Sequence, residues 1–261
     1  MQELELLLAK GRQAMENGEF GQAVRAFRQA LKDHADVAEC HQLLGEALAE
    51  DGKLREAIVS LEKAVELDGT NLDALYALGD VLFEFRLPDK ALLTYQRILD
   101  QDGEEAEALV SMGLVHYSQD RMEEAEACYR KALIIDPDSV FALNSMGDVA
   151  YASGREQEAI DLYRKVIALD PDDPQGHYNL AEVYYDTGEL AAAETSCRET
   201  LRLDPQFAFA YLTLGNLYLD DEEPEEAIKQ FQKFLSLEQS ADAEDIRNEV
   251  KAVIEGLKDE L

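Results

Sequence analysis

Apolar residues recur along this chain at helical spacing, as at Leu75, Leu78, Gly79 and Leu82, where i, i+3, i+4 and i+7 fall on one face of a helix. The stretch Ala106 to Ser139 shows the full pattern: an apolar-faced segment containing Gly113, a break, a second segment containing Ala125, and a stop at Pro137. A step of 34 residues carries Gly113 to Gly79, Gly45 and Gly11 in one direction and to Gly147, Ala181 and Gly215 in the other. The same step carries Ala125 to Ala91, Ala57, Ala23, Ala159, Ala193 and Ala227. Eight places after each of these alanines stands an aliphatic residue: Leu31, Val65, Leu99, Leu133, Ile167, Leu201 and Leu235. A fixed period of this length predicts a stacked repeat array rather than one or two globular domains.

Units are expected to begin at Leu4, Ala38, Leu72, Ala106, Val140, Pro174 and Ala208, each holding a helix A and a helix B. Gly18, Gly52, Gly154 and Gly188 mark the break between the two helices in four units, and Arg86 with Pro88 and Glu222 to Pro224 mark it in two others. Units end in Asp-Gly or Asp-Pro, as at Asp68-Gly69 and Asp136-Pro137, which stops one helix before the next begins. The glycines of helix A are expected to face the alanines of helix B and let the two helices approach closely. Beyond the seventh unit, residues 242–258 place Ile246, Val250, Val253, Ile254 and Leu257 on one face, the pattern of a helix that covers the last apolar surface of an array. The division predicted is thus 1–241 for seven repeats and 242–261 for a solvating, capping helix.

The repeat resembles the tetratricopeptide repeat, whose signature of a large residue, Leu-Gly, Tyr, Ala, an aromatic and Pro appears as Leu143, Met146-Gly147, Ala159, Tyr163 and Pro171. A further unit matches as Tyr211, Leu214-Gly215, Tyr218, Ala227 and Phe231. His41 and His177 stand where the signature prefers a large aromatic, and Cys197 replaces the aromatic of helix B. The resemblance implies an all-α fold, an α-solenoid wound as a right-handed superhelix, with the A helices lining its concave side.

Composition adds charge to this picture. With 24 basic and 56 acidic residues the formal net charge is −32, which repels phosphate backbones and anionic membrane surfaces, so nucleic acid is not an expected partner. Apolar residues make up 46% of the chain, enough for a continuous core. Cys40, Cys128 and Cys197 are widely spaced and form no CxxC pair, so the expectation is reduced thiols and a cytoplasmic location. The first ten residues, MQELELLLAK, are acidic where a signal peptide is basic, and no apolar run reaches the length of a membrane span.

Catalytic chemistry finds no constellation here. The histidines His34, His41, His116 and His177 have no partner at metal-ligand spacing, and no Gly-rich loop follows a strand. Neither an enzyme activity, a metal nor a cofactor is expected.

The resemblance further implies that ligands contact the second, fifth, ninth, twelfth and thirteenth places of each unit. The ninth and thirteenth places include Glu46, Glu50, Asp80, Glu84, Asp148, Glu182, Asp186 and Asp220, and the second, fifth and twelfth add Tyr76, Phe83, Tyr117, Phe141, Tyr151, Tyr178, Tyr185 and Phe209. Glu46 with Glu50, Asp80 with Glu84, and Glu182 with Asp186 are like charges at i,i+4, each costing about 0.2–0.5 kcal/mol in a helix. Carboxylates beside aromatic rings suit Lys and Arg, whose cation–π contacts contribute about 0.5–2 kcal/mol each.

The expected function is a non-enzymatic adaptor that binds a basic or aromatic-containing protein segment. Its groove is assigned to Tyr76, Asp80, Phe83, Glu84, Tyr117, Asn144, Asp148, Tyr151, Tyr178, Glu182, Tyr185 and Asp186. The alternative is an assembly scaffold that acts through convex or terminal surfaces, by self-association or within a complex, with a groove that is merely solvated. The unit at Ala106, where Leu114 and Ser118 interrupt the acidic ladder, is expected to form an apolar gap in it.

Overall fold

The computed structural model describes residues 2–261, and all regular structure among them is helical. Fifteen helices follow in order. They are α1 (Gln2–Glu16), α2 (Phe20–Asp33), α3 (Ala38–Glu50), α4 (Leu54–Leu67), α5 (Leu72–Glu84), α6 (Pro88–Gln101), α7 (Ala106–Tyr117) and α8 (Met122–Ile135). Then come α9 (Val140–Ala152), α10 (Glu156–Leu169), α11 (Pro174–Asp186), α12 (Leu190–Leu203), α13 (Ala208–Asp220), α14 (Pro224–Leu237) and α15 (Glu244–Glu260). The chain is an all-α repeat solenoid that divides into two compact units, Met1–Pro137 and Asp138–Leu261.

In the first unit, four hairpins, α1/α2 through α7/α8, stack so that each helix B meets the next helix A. Successive A helices also touch, α3 with α5 and α5 with α7, so the A helices form the inner face and the B helices the outer one. The second unit repeats this with α9/α10, α11/α12 and α13/α14, again with an A–A contact between α11 and α13. There α15 packs on α14, and Val250 and Ile254 join Phe231 and Phe234 in a buried cluster. None of the described helices is long and apolar enough to cross a membrane.

Core packing explains the 34-residue step. All seven helix B alanines are fully buried, at 0% exposure. The helix A glycines, however, do not chiefly face these alanines. Each lies against the side chain four places later in helix B: Phe27, Leu61, Tyr95, Tyr129, Tyr163 or Phe231. A Cβ added at Gly79 would fall 2.4 Å from Cε1 of Tyr95, closer than packed atoms approach. Where the chain has Ala181 instead of glycine, the residue 34 places after Tyr163 is Cys197, buried in the same cluster and small enough to leave room for the methyl group. Those two departures from the repeat pattern are therefore one coupled change.

Turns within the hairpins share a backbone form. Gly18, Gly52, Gly154 and Gly188 have positive φ, and Arg86, Asp120 and Glu222 take the same left-handed conformation in the other three turns. The residue after each donates its N–H to a carbonyl five places back, as from Glu19 to Ala14 and from Arg121 to His116. This is the Schellman closure of a helix C-terminus, which satisfies carbonyls that the helix itself leaves unpaired.

Candidate functional site

Helix periodicity sets which residues the A helices turn inward. Residues four apart, such as Glu182 and Asp186 on α11 or Asp80 and Glu84 on α5, fall on one stripe, and the next unit repeats the stripe. The inner face of each compact unit carries its own part of the predicted set.

In the first unit, Asp80 accepts a hydrogen bond from the Tyr95 hydroxyl at 2.6 Å. Tyr95 stands on α6 and is almost fully buried, so one carboxylate oxygen of Asp80 is held against the hairpin core. Although Asp80 is exposed as a residue, loss of water around its carboxyl raises its pKa, and the Tyr95 bond offsets only part of that. Tyr76 donates to Glu105 Oε2 at 3.2 Å, joining α5 to the residue that caps α7. Tyr76 and Phe83 pack partly buried against the core, whereas Glu84 is exposed. Tyr117 is partly buried on α7, one turn from the partly buried Leu114. Glu46 accepts from Gln42 at 2.8 Å, and burial raises its pKa.

The second unit gathers more of the set. Asp148 accepts from the Tyr163 hydroxyl at 2.7 Å, the arrangement of Asp80 and Tyr95 repeated in α9/α10. Tyr178 donates to Glu182 Oε1 at 2.9 Å. Two further phenols reach from one A helix to the next, Tyr151 to Asp186 and Tyr185 to Asp220, the latter at 3.0 Å. Asn179 donates to Asn144 Oδ1 at 3.0 Å, so an amide bridge runs beside the phenol–carboxylate bonds. Burial, and then mutual repulsion with Asp186 and Asp148, raises the Glu182 carboxyl above the ordinary glutamate range. Asp148 is raised by burial too. The phenols move the same way: Tyr185 is pushed up to about 12, chiefly by burial and then by Asp220, so the hydroxyls remain donors at neutral pH.

Each phenol is thus engaged at its oxygen, and Tyr178 is engaged at its ring as well. Only 8% exposed, it packs on Phe207 with ring centroids 4.8 Å apart. Tyr178 belongs to the hairpin core and offers no open ring face for a cation. Tyr151 and Tyr185 keep partly exposed rings. No Lys or Arg is ion-paired to Asp148, Glu182, Asp186 or Asp220 among the described residues.

Sequence reasoning overlooked Tyr95 and Tyr163, the helix B residues that fix two of the acids. Their signal was present: a Tyr follows the ninth-place Asp by 15 residues in both units that have an Asp there. The three cysteines are buried free thiols, and burial raises all three, Cys197 to about 12, so each is an unreactive core residue. Among the described residues, no group of three or more His, Cys, Asp and Glu side chains could hold a metal ion.

Comparison with known proteins agrees with this architecture. Family models described as tetratricopeptide repeat match residues 8–71, 76–140, 174–207 and 210–240, and one described as TPR repeat matches 147–188. No curated protein matches the chain. A tetratricopeptide repeat protein from Parabacteroides merdae is 22% identical, covers 99% of this chain and 100% of its own, and superposes with a TM-score of 0.77. PilF of Pseudomonas aeruginosa is 23% identical over 82% of this chain and 96% of its own, with a TM-score of 0.68. YrrB, described as a TPR protein with an unusual peptide-binding site, is 20% identical over 72% of this chain and 97% of its own, with a TM-score of 0.52. At these identities the likeness speaks for the fold, and the family models speak for the sequence. With the 34-residue step, the stacked hairpins and the matches spread along its length, the chain belongs to the tetratricopeptide repeat family.

Proposed function

We propose that the chain is a protein-interaction module whose acidic inner face binds a basic, extended or helical segment of another protein. Tetratricopeptide repeats serve protein–protein interaction, and peptide binding is stated for YrrB. The observation that carries the finer reading is the set Asp148, Glu182, Asp186 and Asp220, four carboxylates that accept from phenols and have no Lys or Arg ion-paired to them among the described residues. A phenol occupies one lone pair of each acid and leaves the others free to accept from a guanidinium or ammonium group. The exposed parts of Tyr151 and Tyr185 stand beside them for the stem or the cation of the same side chain. In the first unit, Asp80 and Glu84 with Tyr76, Phe83 and Tyr117 form a second, less crowded acidic stretch.

The test uses isosteric amides. Lysine at Asp80 or Asp148 would strand the buried hydroxyl of Tyr95 or Tyr163, whereas Asp148→Asn, Glu182→Gln and Asp186→Asn remove charge and keep an acceptor for each phenol. Binding of a fluorescein-labelled Arg- and Lys-rich peptide is expected to weaken by about tenfold or more in the triple variant at low salt, since charge-assisted bonds contribute about 1.5–3 kcal/mol each. Equal affinity for wild type and the triple variant, at unchanged melting temperature, would sink the assignment.

A further inference from the structure

The outer face of the first unit holds two open clefts that are copies of each other. One, about 410 Å³, lies between α2 and α4 over α3 and is lined by Leu31, Leu44, Val59, Ser60 and Lys63. The other, about 380 Å³, lies between α4 and α6 over α5 and is lined by Val65, Leu78, Leu93, Thr94 and Arg97. Each residue of the second list stands 34 positions after its counterpart in the first. Leu44 and Leu78 floor the clefts, at 7% and 4% exposure, while Val59 and Leu93 stand at the lips, at 63% and 68%. Repeat packing accounts for the floors. It does not account for two large apolar side chains left in water at the same place in consecutive units. At this place the chain has Arg25, Ala127, Asp161, Thr195 and Lys229 in the other units, so a large apolar side chain at the lip is confined to these two.

Charge is arranged around the pair. Glu62 and Glu66 line both clefts and form the ridge between them along α4. Lys63 pairs with Glu66 at 2.9 Å, while the Glu62 carboxylate has no ion-pair or hydrogen-bond partner among the described residues. At the far end Lys90 and Arg97 flank Leu93, and neither is ion-paired among the described residues. Along the outer face the order is therefore apolar cleft, acidic ridge, apolar cleft, basic edge.

We propose that these clefts are a second docking surface, which takes an amphipathic helix of a partner protein. The clefts lie on either side of α4, so about one helix diameter, 10–12 Å with side chains, separates them. Two residues seven apart on a helix are separated by about 10.5 Å along its axis, so leucine-like side chains at i and i+7 reach both clefts. A Lys or Arg at i+3 or i+4 then falls over Glu62, and an acidic residue just beyond the second apolar anchor meets Lys90 and Arg97. A second copy of this chain suits the surface poorly, because its net charge of −32 opposes close association.

The probe is a labelled 18-residue helical peptide, rich in Ala and Gln, with Leu at i and i+7, Lys at i+3 and i+4, and Glu at i+10 and i+11. Its control exchanges the Lys and Glu positions and keeps the composition. Fluorescence anisotropy on the full chain is expected to give at least about fivefold tighter binding of the probe than of the control. Val59→Glu with Leu93→Glu should abolish that binding, and Asp148→Asn with Glu182→Gln should leave it unchanged. Both outer positions are exposed, so the double variant is expected to melt within a few degrees of wild type. Equal binding of the two peptides, no binding of either, or probe binding that survives in the Val59→Glu, Leu93→Glu variant overturns the proposal. Self-association that disappears in that variant overturns it too, by giving the surface to a second copy. Loss of probe binding in the inner-face variant instead would place the peptide in the other groove and equally reject the outer site.

Discussion

A glycine in the middle of a helix ordinarily costs about 1 kcal/mol relative to alanine. Gly147 keeps that cost because a Cβ there would lie 2.5 Å from Cε1 of Tyr163, a fully buried ring that cannot swing away. Overpacking of this kind costs about 1–3 kcal/mol, which outweighs the gain in propensity. Gly147→Ala is therefore expected to lower stability in urea or thermal melts. Gly256, in α15, has nothing within 4 Å of such a Cβ, and Gly256→Ala should raise stability by about 0.5–1 kcal/mol. The pair separates a glycine held by packing from one held by nothing visible in the fold. Ala181 buried in one cluster with Cys197 predicts a further result: Gly147→Ala combined with Tyr163→Cys should be less destabilising than the sum of the two single changes. The position of the glycines was legible in the sequence, but what they faced was not. A 34-residue period identifies which residues share an environment without saying which atoms touch, so the ring four places after the alanine was found only once the helices were packed. The phenol–carboxylate bonds were hidden for the same reason, because Tyr163 and Asp148 lie on different helices.

At the scale of helices and turns, the seven left-handed positions are chemically unequal. Four are glycine, which adopts positive φ freely, and three are Arg86, Asp120 and Glu222, at φ of 62°, 57° and 57°. A left-handed non-glycine residue costs about 1–2 kcal/mol, less for Asp, whose short polar side chain is better tolerated there. Arg86→Gly and Glu222→Gly should each stabilise the chain by about 0.5–1 kcal/mol, part of the gain being lost to the greater freedom of glycine in the unfolded chain. Asp120→Gly should give less, and Gly188→Ala should cost about 1 kcal/mol. Denaturant midpoints for the four variants test that order. Four of these turns announced themselves as glycine, and two were marked by a nearby proline. The turn at Asp120 lacked either mark, because an aspartate in a left-handed turn looks like any surface acid until the backbone is seen. Helix α15 was readable from its apolar stripe, and we propose that it caps the array: removal of residues 242–261 should expose Phe231 and Phe234 and produce concentration-dependent association in light scattering.

For the molecule as a whole, charge governs both stability and the proposed binding, in opposite directions. A net charge of −32 destabilises the compact state by self-repulsion, and salt relieves it, with a screening length of about 10 Å at 0.1 M. Protonation acts alike. Asp80, Asp148, Glu46 and Glu182 have pKa values raised by burial above the ordinary 3.8 and 4.5, so folding strengthens their hold on a proton. The cost of keeping them ionised in the fold is full above the raised values and is relieved as pH falls through them towards the ordinary ones. Thermal stability is therefore expected to rise with added salt and on mild acidification from neutral pH, by a few degrees in Tm for each kcal/mol recovered, about 2–4 °C at this size. A cationic segment on the inner face should respond the other way. Salt screens its attraction, protonation of Asp148 and Glu182 removes the charge it meets, and affinity should fall by about tenfold or more between roughly 50 mM and 500 mM salt. Measuring Tm and peptide affinity over one matrix of pH and salt decides the matter. Opposite slopes fit a groove of unneutralised carboxylates that serves a basic ligand at some expense to stability, whereas affinity that holds or rises with salt as Tm does would leave the acidic face as a solvated surface and move the interaction to apolar contacts elsewhere.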